Sequence, residues 1–368
     1  MIFGPRKTGT CEVCENRSRI VSSFLGVCRE CIIEGRGKER IAEAHRRSKA
    51  RFDLPLEIPM EGKSCGHCVN RCKIPIGERG FCGIRGNIDE EVRALVDGAV
   101  AEWYYDPLPT NCVATFVCPG GTGAGYPKFA HAKGPEYGFK NLAVFYGACS
   151  YDCLFCQNWT YRSLTRDQKP VISAKTLASK VDKKTSCICY FGGDPTPQIE
   201  HAIRTSRIAL ERDAITRICF ETNGSMSRRY LREVAELSYD SGGCMKFDLK
   251  TWNEGLNVAL CGTSNKNTLK NFKWLVNYEK ERGERGFPFL IASTLMIPGY
   301  VGSDEVKKIA SFLAGLNPDI PYSLLAFYGA YEMMDIPTTS RKIADECYLA
   351  AKNSGLSNVN IGNIHLLW

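Results

Sequence analysis

Residues 141–156, with the sequence NLAVFYGACSYDCLFC, contain a short apolar run that is followed by three closely spaced cysteines. The run 141–147 has the length and composition of a buried strand. Cys149, Cys153 and Cys156 then place three thiols in one loop. Thiolates at this spacing can bind three irons of a 4Fe–4S cluster, which normally takes four cysteines, and they leave one iron open. A zinc site is the alternative, although zinc sites generally have four ligands and paired Cys-x-x-Cys knuckles.

From about residue 140 onward, short apolar runs alternate with longer amphipathic ones, which is typical of β/α units around a parallel sheet. The predicted strands are Asn141–Gly147, Cys187–Gly193, Ile215–Thr222, Cys244–Leu249, Phe289–Ile297 and Tyr322–Phe327. The predicted helices are Ala174–Lys183, Gln198–Glu211, Arg228–Ser238, Thr268–Lys280, Ser303–Leu316 and Ser340–Asn353. These units are too few for a closed eight-stranded barrel. We therefore predict an α/β fold with a partial, open (βα)6 barrel, whose chemistry lies at the carboxyl ends of the strands.

Short motifs follow the predicted strands in order, and together with the three cysteines they resemble the radical S-adenosylmethionine (SAM) superfamily. The nearest likeness is to enzymes similar to pyruvate formate-lyase activating enzyme, and it covers residues from about 65 to 368. The motifs are Phe191–Thr196 (FGGDPT), Glu221–Gly224 (ETNG), Lys246–Lys250 (KFDLK), Met296–Gly299 (MIPG) and Asn360–Asn363 (NIGN).

The resemblance implies that Cys149, Cys153 and Cys156 bind a 4Fe–4S cluster whose open iron is chelated by SAM. Reduction of such a cluster cleaves SAM to a 5′-deoxyadenosyl radical, which abstracts hydrogen from an unactivated carbon. An electron donor such as ferredoxin or flavodoxin is implied as a partner. Asp194 stands where the family usually has glutamate. The cofactor-binding residues carried over from the motifs are Phe155, Gly192, Gly193, Asp194, Thr222, Asp248 and Lys250.

The chain has 19 cysteines among 368 residues, and its first residues, MIFGPRKTGTCEVC, lack the apolar stretch of a secretion signal. We therefore expect a cytoplasmic protein whose grouped cysteines bind metal rather than form disulfides. A first set has the paired knuckles of a zinc ribbon, with zinc or a single iron as the expected metal. A second set resembles the N-terminal segment of archaeal and bacterial activating-enzyme-like proteins, and its spacing allows either zinc or an iron–sulfur centre. The first set is Cys11, Cys14, Cys28 and Cys31, and the second is Cys65, Cys68, Cys72 and Cys82.

Other residues near these motifs allow two interpretations. His67 either replaces a thiolate or lies in an exposed loop. Cys112 and Cys118 either ligate a cluster or pack. The cysteines within predicted strands are expected to be small core residues. These are Cys187, Cys189, Cys219 and Cys244. Four tyrosines are candidates for a substrate pocket or for exposed loops, namely Tyr104, Tyr105, Tyr328 and Tyr331.

The motifs divide the chain into five predicted segments: a cysteine module (1–36), a basic linker (37–60), a loop-rich segment with the second cysteine set (61–139), the barrel (140–335) and a C-terminal helix and strand (336–368). The net charge is +8, and 12 Lys/Arg against 6 Asp/Glu through Phe52 place +6 of it in the first stretch. The basic run 36–51 would attract nucleic acid or an acidic protein face, or it forms a solvated helix between two domains. The module is expected to be separable from SAM cleavage.

Three functions are compatible with these motifs. The first is a radical SAM enzyme acting on a protein or peptide, either as a glycyl-radical enzyme activase or by functionalising carbon, for example by C-methylation of the methyl-coenzyme M reductase type. The added cysteines precede the SAM motif, unlike those of familiar activases. Methylation would need a second methyl source, commonly cobalamin, here without a lower histidine ligand because no Asp-x-His-x-x-Gly motif is present. The second function is RNA modification, and the third is a non-enzymatic metal scaffold.

Overall fold

The computed structural model describes residues 8–211 and 215–368, so residues 1–7 of the predicted cysteine module lie outside the described residues. The two N-terminal cysteine sets lie among small hairpins and two helices. The elements around the first set are β1 (Gly9–Thr10), β2 (Arg17–Ser18), α1 (Arg29–Ile33) and α2 (Lys38–Ala50). Those around the second set are β3 (Lys63–Ser64), β4 (Lys73–Ile74), β5 (Arg85–Ile88) and β6 (Glu91–Ala94).

The rest of the chain forms a nine-stranded mixed sheet. Its strands are β7 (Ala99–Pro107), β8 (Lys140–Tyr146), β9 (Val171–Ile172), β10 (Thr185–Gly192), β11 (Arg217–Thr222), β12 (Met245–Asp248), β13 (Leu290–Met296), β14 (Tyr322–Ala326) and β15 (Val359–Gly362). The spatial order is β9-β7-β8-β10-β11-β12-β13-β14-β15. Seven strands, β8 and β10 to β15, are parallel, whereas β7 pairs antiparallel with β8 and with β9.

Helices follow the parallel strands as the sequence predicts. They are α3 (Pro119–Thr122), α4 (Tyr161–Asp167), α5 (Ala174–Ala178), α6 (Ile199–Leu210), α7 (Arg228–Asp240), α8 (Glu254–Cys261), α9 (Lys266–Arg282), α10 (Ser303–Leu316) and α11 (Arg341–Asn353). The α/β fold class with an open parallel arrangement is confirmed. The predicted C-terminal strand adds a seventh parallel strand to the same sheet. The helices α3, α4 and α8 were not predicted, and α3 lies between β7 and β8 rather than after a parallel strand. No helix within the described ranges is long and apolar enough to cross a lipid bilayer.

The parallel strands direct alternate side chains to opposite faces, which explains why their sequences mix apolar and polar residues. Ile188, Ile218 and Met245 pack outward in the main hydrophobic core between the strands and the helices. Their sequence neighbours, including Cys189 and Cys219, line a cavity on the inner face. The inner face therefore carries the cysteine and polar side chains around a cavity, and the outer face packs into the apolar core.

The basic segment is not a free linker, because α2 packs against the loop that carries the three cysteines. His45 Nδ1 lies 2.9 Å from one carboxylate oxygen of Asp152, and Ser48 Oγ donates to the other at 3.0 Å. Arg162 Nη2 on α4 donates to the same carboxylate at 2.7 Å. Asp152 and Arg162 are both buried, and although burial opposes ionisation, Arg162 and His45 hold the pKa of Asp152 well below its usual range. The expectation of a solvated linker helix was wrong for this buried face.

The N-terminal cysteine module also contacts the barrel directly. The phenol of Tyr300, beyond the end of β13, accepts from Ser22 N at 2.9 Å and donates to Val27 O at 3.1 Å. Leu25 and Ile32 share one hydrophobic cluster with Leu154 of the cysteine loop. The module and the cysteine loop therefore have a common core, which argues against the expected separability of the module from SAM cleavage.

We expect Asp152→Ala to destabilise the protein strongly, because it leaves the buried Arg162 guanidinium without its carboxylate. Removing one partner of a buried ion pair typically costs about 3–5 kcal/mol. Asp182→Ala is the matched control, because its ion pair with Lys140 is half exposed and should contribute at most about 1 kcal/mol. Urea unfolding under anaerobic conditions measures both, and equal losses in the two variants would contradict the structural importance of Asp152.

Candidate functional site

Cys149, Cys153 and Cys156 lie in the loop after β8, at the carboxyl end of the first central strand. They line a cavity of about 150 Å³. The loop is fixed by Asp152 N and Leu154 N, which donate to the carbonyls of Cys261 and Leu260 at the end of α8, each at 2.9 Å. Cys261 lies behind the loop, where its thiol is hydrogen-bonded to Cys153 and lowers the pKa of that thiol. The loop thus presents three thiols to one cavity on a backbone that is held in place.

The pair Gly192-Gly193 allows β10 to pass very close to β8. A Cβ on Gly192 would lie 2.5 Å from Tyr146 N, and one on Gly193 would lie 2.1 Å from Ala148 O. Gly192 also has a φ of +110°, which side chains rarely adopt. Any other residue would therefore push the end of β10 away from the cysteine loop.

Asp194 follows the glycine pair and is buried beside the thiols. One carboxylate oxygen accepts from Thr196 N at 2.8 Å, and the other accepts from Thr222 Oγ1 at 2.9 Å and Asn223 N at 2.8 Å. Burial raises the pKa of Asp194 and these hydrogen bonds oppose the rise. The carboxylate therefore joins the ends of β10 and β11, and few of its acceptor positions remain for a ligand.

Asp248 and Lys250 form an ion pair on the opposite wall of the same cavity. Lys250 Nζ lies 2.7 Å from Asp248 Oδ2, and Ser293 Oγ donates to Asp248 Oδ1 at 2.6 Å. Burial alone would lower the pKa of Lys250, but Asp248 and the Cys153 thiolate raise it above its ordinary value. The wall therefore offers a carboxylate and a fixed ammonium to a zwitterionic ligand.

The cavity meets the chemical requirements of the cofactors that the sequence motifs imply. Three thiols suit three irons of a 4Fe–4S cluster, with one iron left to a further ligand. The polar residues around them suit the amino, carboxylate and hydroxyl groups of SAM. All seven predicted cofactor-binding residues lie at or beside this cavity, and each lines it: Phe155, Gly192, Gly193, Asp194, Thr222, Asp248 and Lys250.

The first N-terminal set has the geometry of a single-ion site. A zinc ion bound by four thiolates at about 2.3 Å in a tetrahedron places its sulfurs about 3.8 Å apart. The Sγ atoms of Cys11 and Cys31 are 3.8 Å apart, and those of Cys14 and Cys28 are 3.7 Å apart. All four lie within 4.8 Å of one another, and in the described ranges no other group of three or more potential ligands is so close.

The second set is more open than the first. Cys65, Cys68, Cys72 and Cys82 line one small enclosed cavity, although they do not meet the close spacing of the first set. This segment contacts the catalytic loop, because Asn70 Nδ2 donates to Ser150 O at 2.7 Å. The wider arrangement of the four thiols is compatible with either zinc or an iron–sulfur centre.

His67 is buried rather than exposed, so the exposed-loop interpretation was wrong. Its ring packs at a tilt of 39° against the ring of Tyr230, with centroids 4.6 Å apart, and its Nδ1 lies 3.6 Å from Cys65 Sγ. Burial opposes protonation, but Cys65 and Glu200 raise the pKa of His67 to about 9. His67 therefore lies close enough to the second set to influence its thiols.

A larger cavity of about 710 Å³ lies on the inner face of the sheet, next to the first. The two cavities share the lining residues Gln157, Asn158, Phe191, Glu221 and Leu325. Sequence patterns did not single out Glu221 or Phe191 as pocket residues, although both belong to motifs that mark strand ends.

Several residues of uncertain role line this cavity. The strand cysteines line it. Cys189 and Cys244 are buried, as expected of small core residues, whereas Cys187 and Cys219 are only partly buried. Tyr104 and Tyr328 also line the cavity, whereas Tyr105 and Tyr331 do not. The lining cysteines are Cys112, Cys118, Cys187, Cys189, Cys219 and Cys244.

Replacing Cys11 and Cys14 together by alanine should release the N-terminal metal and also reduce SAM cleavage. The reason is that the module and the catalytic loop share one hydrophobic cluster, so local unfolding exposes both. Zinc and iron content and anaerobic formation of 5′-deoxyadenosine are the measurements. Cys347→Ala, which removes a buried thiol on α11, is the control for thiol loss. SAM cleavage at the wild-type rate in the double variant would show that the module is separable from SAM cleavage after all.

Comparison with known proteins places this geometry in a family. The family model of the radical SAM superfamily matches residues 143–313. The uncharacterized protein MJ0808 of Methanocaldococcus jannaschii is 26% identical over 305 residues, which are 82% of this chain and 81% of that one. A protein of the same organism that is named for the activation of glycyl-radical enzymes, MJ1632, is 30% identical over 192 residues, or 51% of this chain and 67% of that one.

Among solved structures, a domain of pyruvate-formate lyase-activating enzyme from Bacteroides vulgatus aligns with a TM-score of 0.38 and 21% identity, over 48% of this chain and 98% of that one. The family model covers the strands whose carboxyl ends hold the three thiols, Asp194 and Asp248. Membership of this family implies a 4Fe–4S cluster and SAM as cofactors. The chain therefore belongs to the radical SAM superfamily.

Proposed function

We propose that this radical SAM enzyme removes hydrogen from a carbon of a protein or peptide substrate, one segment of which enters the larger cavity. The observation that carries this proposal is that the larger cavity adjoins the thiol-lined cavity and shares five lining residues with it. A cavity of about 710 Å³ is large enough for a few side chains, and its walls combine aromatic, charged and amide groups.

Cys149, Cys153 and Cys156 are the proposed ligands of the 4Fe–4S cluster. Bound together, the cluster and SAM supply the radical that abstracts hydrogen. In this proposal Lys250 and Asp248 hold the carboxylate and ribose sides of SAM, and Thr222 lies beside them. Asp194 keeps the ends of β10 and β11 together, so that the SAM amino group would lie against strand ends whose positions are fixed.

The charge distribution favours a protein substrate over RNA. Arg40 is paired with Glu12 at 2.8 Å, Arg46 with Glu43 at 3.1 Å, and Arg51 with Glu332. Lys49 is buried, donates to Phe81 O at 2.8 Å and has its pKa lowered to about 8 by burial. Much of the basic run therefore acts within the protein and offers little charge to a phosphate backbone.

The finer outcome of the reaction has two candidates. C-methylation is our first, and it would require a second methyl source such as cobalamin. Activation of a glycyl-radical enzyme is the second, and it is supported by the name of the relative MJ1632. The proposed partner is a protein in both cases, with ferredoxin or flavodoxin as the proposed electron donor. Zinc or iron is the proposed metal of the first N-terminal cysteine set.

The substrate class can be tested with peptide and RNA pools prepared from the same cells. We expect the peptide pool, and not the RNA pool, to raise 5′-deoxyadenosine formation above the substrate-free rate under reducing, anaerobic conditions. A mass gain of one methyl group in a peptide, with cobalt in the enzyme, would identify methylation, whereas a stable protein-bound radical would identify an activase. Stimulation by RNA alone would overturn the proposal.

Replacing Cys149, Cys153 and Cys156 together by alanine should abolish reductive SAM cleavage while the fold is retained. The three thiols are the proposed ligands of the cluster that binds SAM, and the barrel core does not depend on them. Anaerobic 5′-deoxyadenosine assays and circular dichroism measure the two properties. Turnover at the wild-type rate in this variant would exclude these cysteines as ligands.

Asp194→Ala should weaken SAM binding more than it reduces iron content. Asp194 holds the ends of β10 and β11 together beside the SAM site, so losing its hydrogen bonds should loosen that wall and weaken SAM binding by up to roughly a hundredfold, which corresponds to at most about 3 kcal/mol. Asp194→Asn is the conservative comparison, because it keeps the side-chain volume and removes part of the acceptor capacity. Equilibrium SAM binding is measured beside iron content, and an unchanged Kd in the alanine variant would make Asp194 a simple turn residue.

A further inference from the structure

The inner face of the barrel carries a layer of thiols that the proposed reaction does not use. Cys189 on β10 pairs in register with Cys219 on β11. Phe220 pairs with Met245, so the residues one step earlier, Cys219 and Cys244, are neighbours on β11 and the start of β12. Three adjacent chain segments therefore present one cysteine each at the same level of the cavity wall.

A fourth thiol faces this layer from the loop before α3. Cys118 lines the same cavity and packs, like Cys112, against the small hydrophobic cluster that contains Cys244. Burial, together with the neighbouring Cys112 and Cys219 thiols, raises the pKa of Cys118 to about 11. Three strand thiols and one loop thiol thus line the same cavity.

The layer lies beside a small hydrophobic cluster at Cys244 and beside charged groups at Cys189. Lys246 Nζ lies 2.9 Å from Cys189 Sγ, 3.2 Å from Cys112 Sγ and 3.3 Å from a carboxylate oxygen of Glu221. Arg217 also lines the cavity. Arg217 is already paired with Glu136 at 2.6 Å, so the buried Lys246 ammonium is the cation suited to compensate the negative charge of a thiolate-bound metal centre.

We propose that Cys118, Cys189, Cys219 and Cys244 bind an additional iron–sulfur cluster in the larger cavity, at the level of Cys189 on β10. Iron and sulfide suit this donor set because four thiolates are the usual ligands of such clusters. A single zinc ion needs sulfurs about 3.8 Å apart. Among the described residues only the first N-terminal set has three or more potential ligands within 4.8 Å of one another. The strand and loop thiols form no such group, so they do not match the spacing of a single zinc ion.

The position of this cluster is compatible with the proposed substrate site. Cys189 precedes Gly193 by four residues, which is about 13 Å along a strand at about 3.3 Å per residue. The level of Phe191 and Glu221 lies between them. A substrate segment at that level would have the SAM site on one side and the additional cluster on the other.

The test compares metal content in the full-length protein, reconstituted with iron and sulfide under anaerobic conditions. The variant Cys219→Ala with Cys244→Ala should lose about two or four irons per chain, with matching sulfide, according to whether the cluster is 2Fe–2S or 4Fe–4S. Its substrate-free SAM cleavage should persist. Cys347→Ala is the control and should keep the wild-type iron. Iron and sulfide equal to the wild type in the double variant would overturn the proposal.

A second measurement keeps the proposal testable if the double variant does not fold. Wild-type protein is treated with iodoacetamide before and after removal of iron by a chelator, and labelled cysteines are identified by mass spectrometry. We expect Cys189, Cys219 and Cys244 to be protected in the loaded protein and labelled after iron is removed. Labelling of these thiols in the loaded protein to the same extent as after iron removal, with clear labelling in both states, would show that they bind no iron.

Discussion

The Asp152 carboxylate joins three parts of the chain around the catalytic loop. It lies between Cys149 and Cys153 in the sequence, and it binds Arg162 of α4, His45 of α2 and Ser48 of α2. A buried carboxylate is costly unless it is paired, so these contacts are mutually dependent. The positions of the three thiols therefore depend on residues about a hundred positions earlier in the chain, in a helix that the basic charge pattern alone would assign to solvent.

The inner and outer faces of the barrel have different roles. Outward residues such as Ile188 and Phe220 provide the apolar burial that stabilises the strands. Inward-facing residues do not contribute to that core. They include the thiols, Lys246 and Glu221, which line the cavity. The glycine pair after β10 adds the close strand approach that brings Asp194 beside the catalytic thiols.

Much of the fold and the thiol cavity could be predicted from the sequence, because both depend on local patterns. The alternation of apolar runs and helices indicated the parallel strands, and the order of short motifs indicated Asp194 and Asp248. Contacts between distant segments could not be predicted in this way. His45 looks like part of a basic run, and His67 like a loop residue, until the fold brings them to Asp152 and to Cys65. The strand cysteines resemble small core residues because sequence alternation does not say which face surrounds a cavity.

The contact between the N-terminal module and Tyr300 has a consequence for how the chain is made on the ribosome. Ser22 and Tyr300 are separated by 278 positions, and at about 5–20 residues per second the second partner is synthesised tens of seconds after the first. During that interval Leu25 and Ile32 have no barrel surface to cover them. Capture of a metal by the first four cysteines would give the nascent module an ordered shape before its permanent neighbours exist. The supply of metal during translation would then influence the yield of active enzyme, apart from any role of that ion in the finished protein.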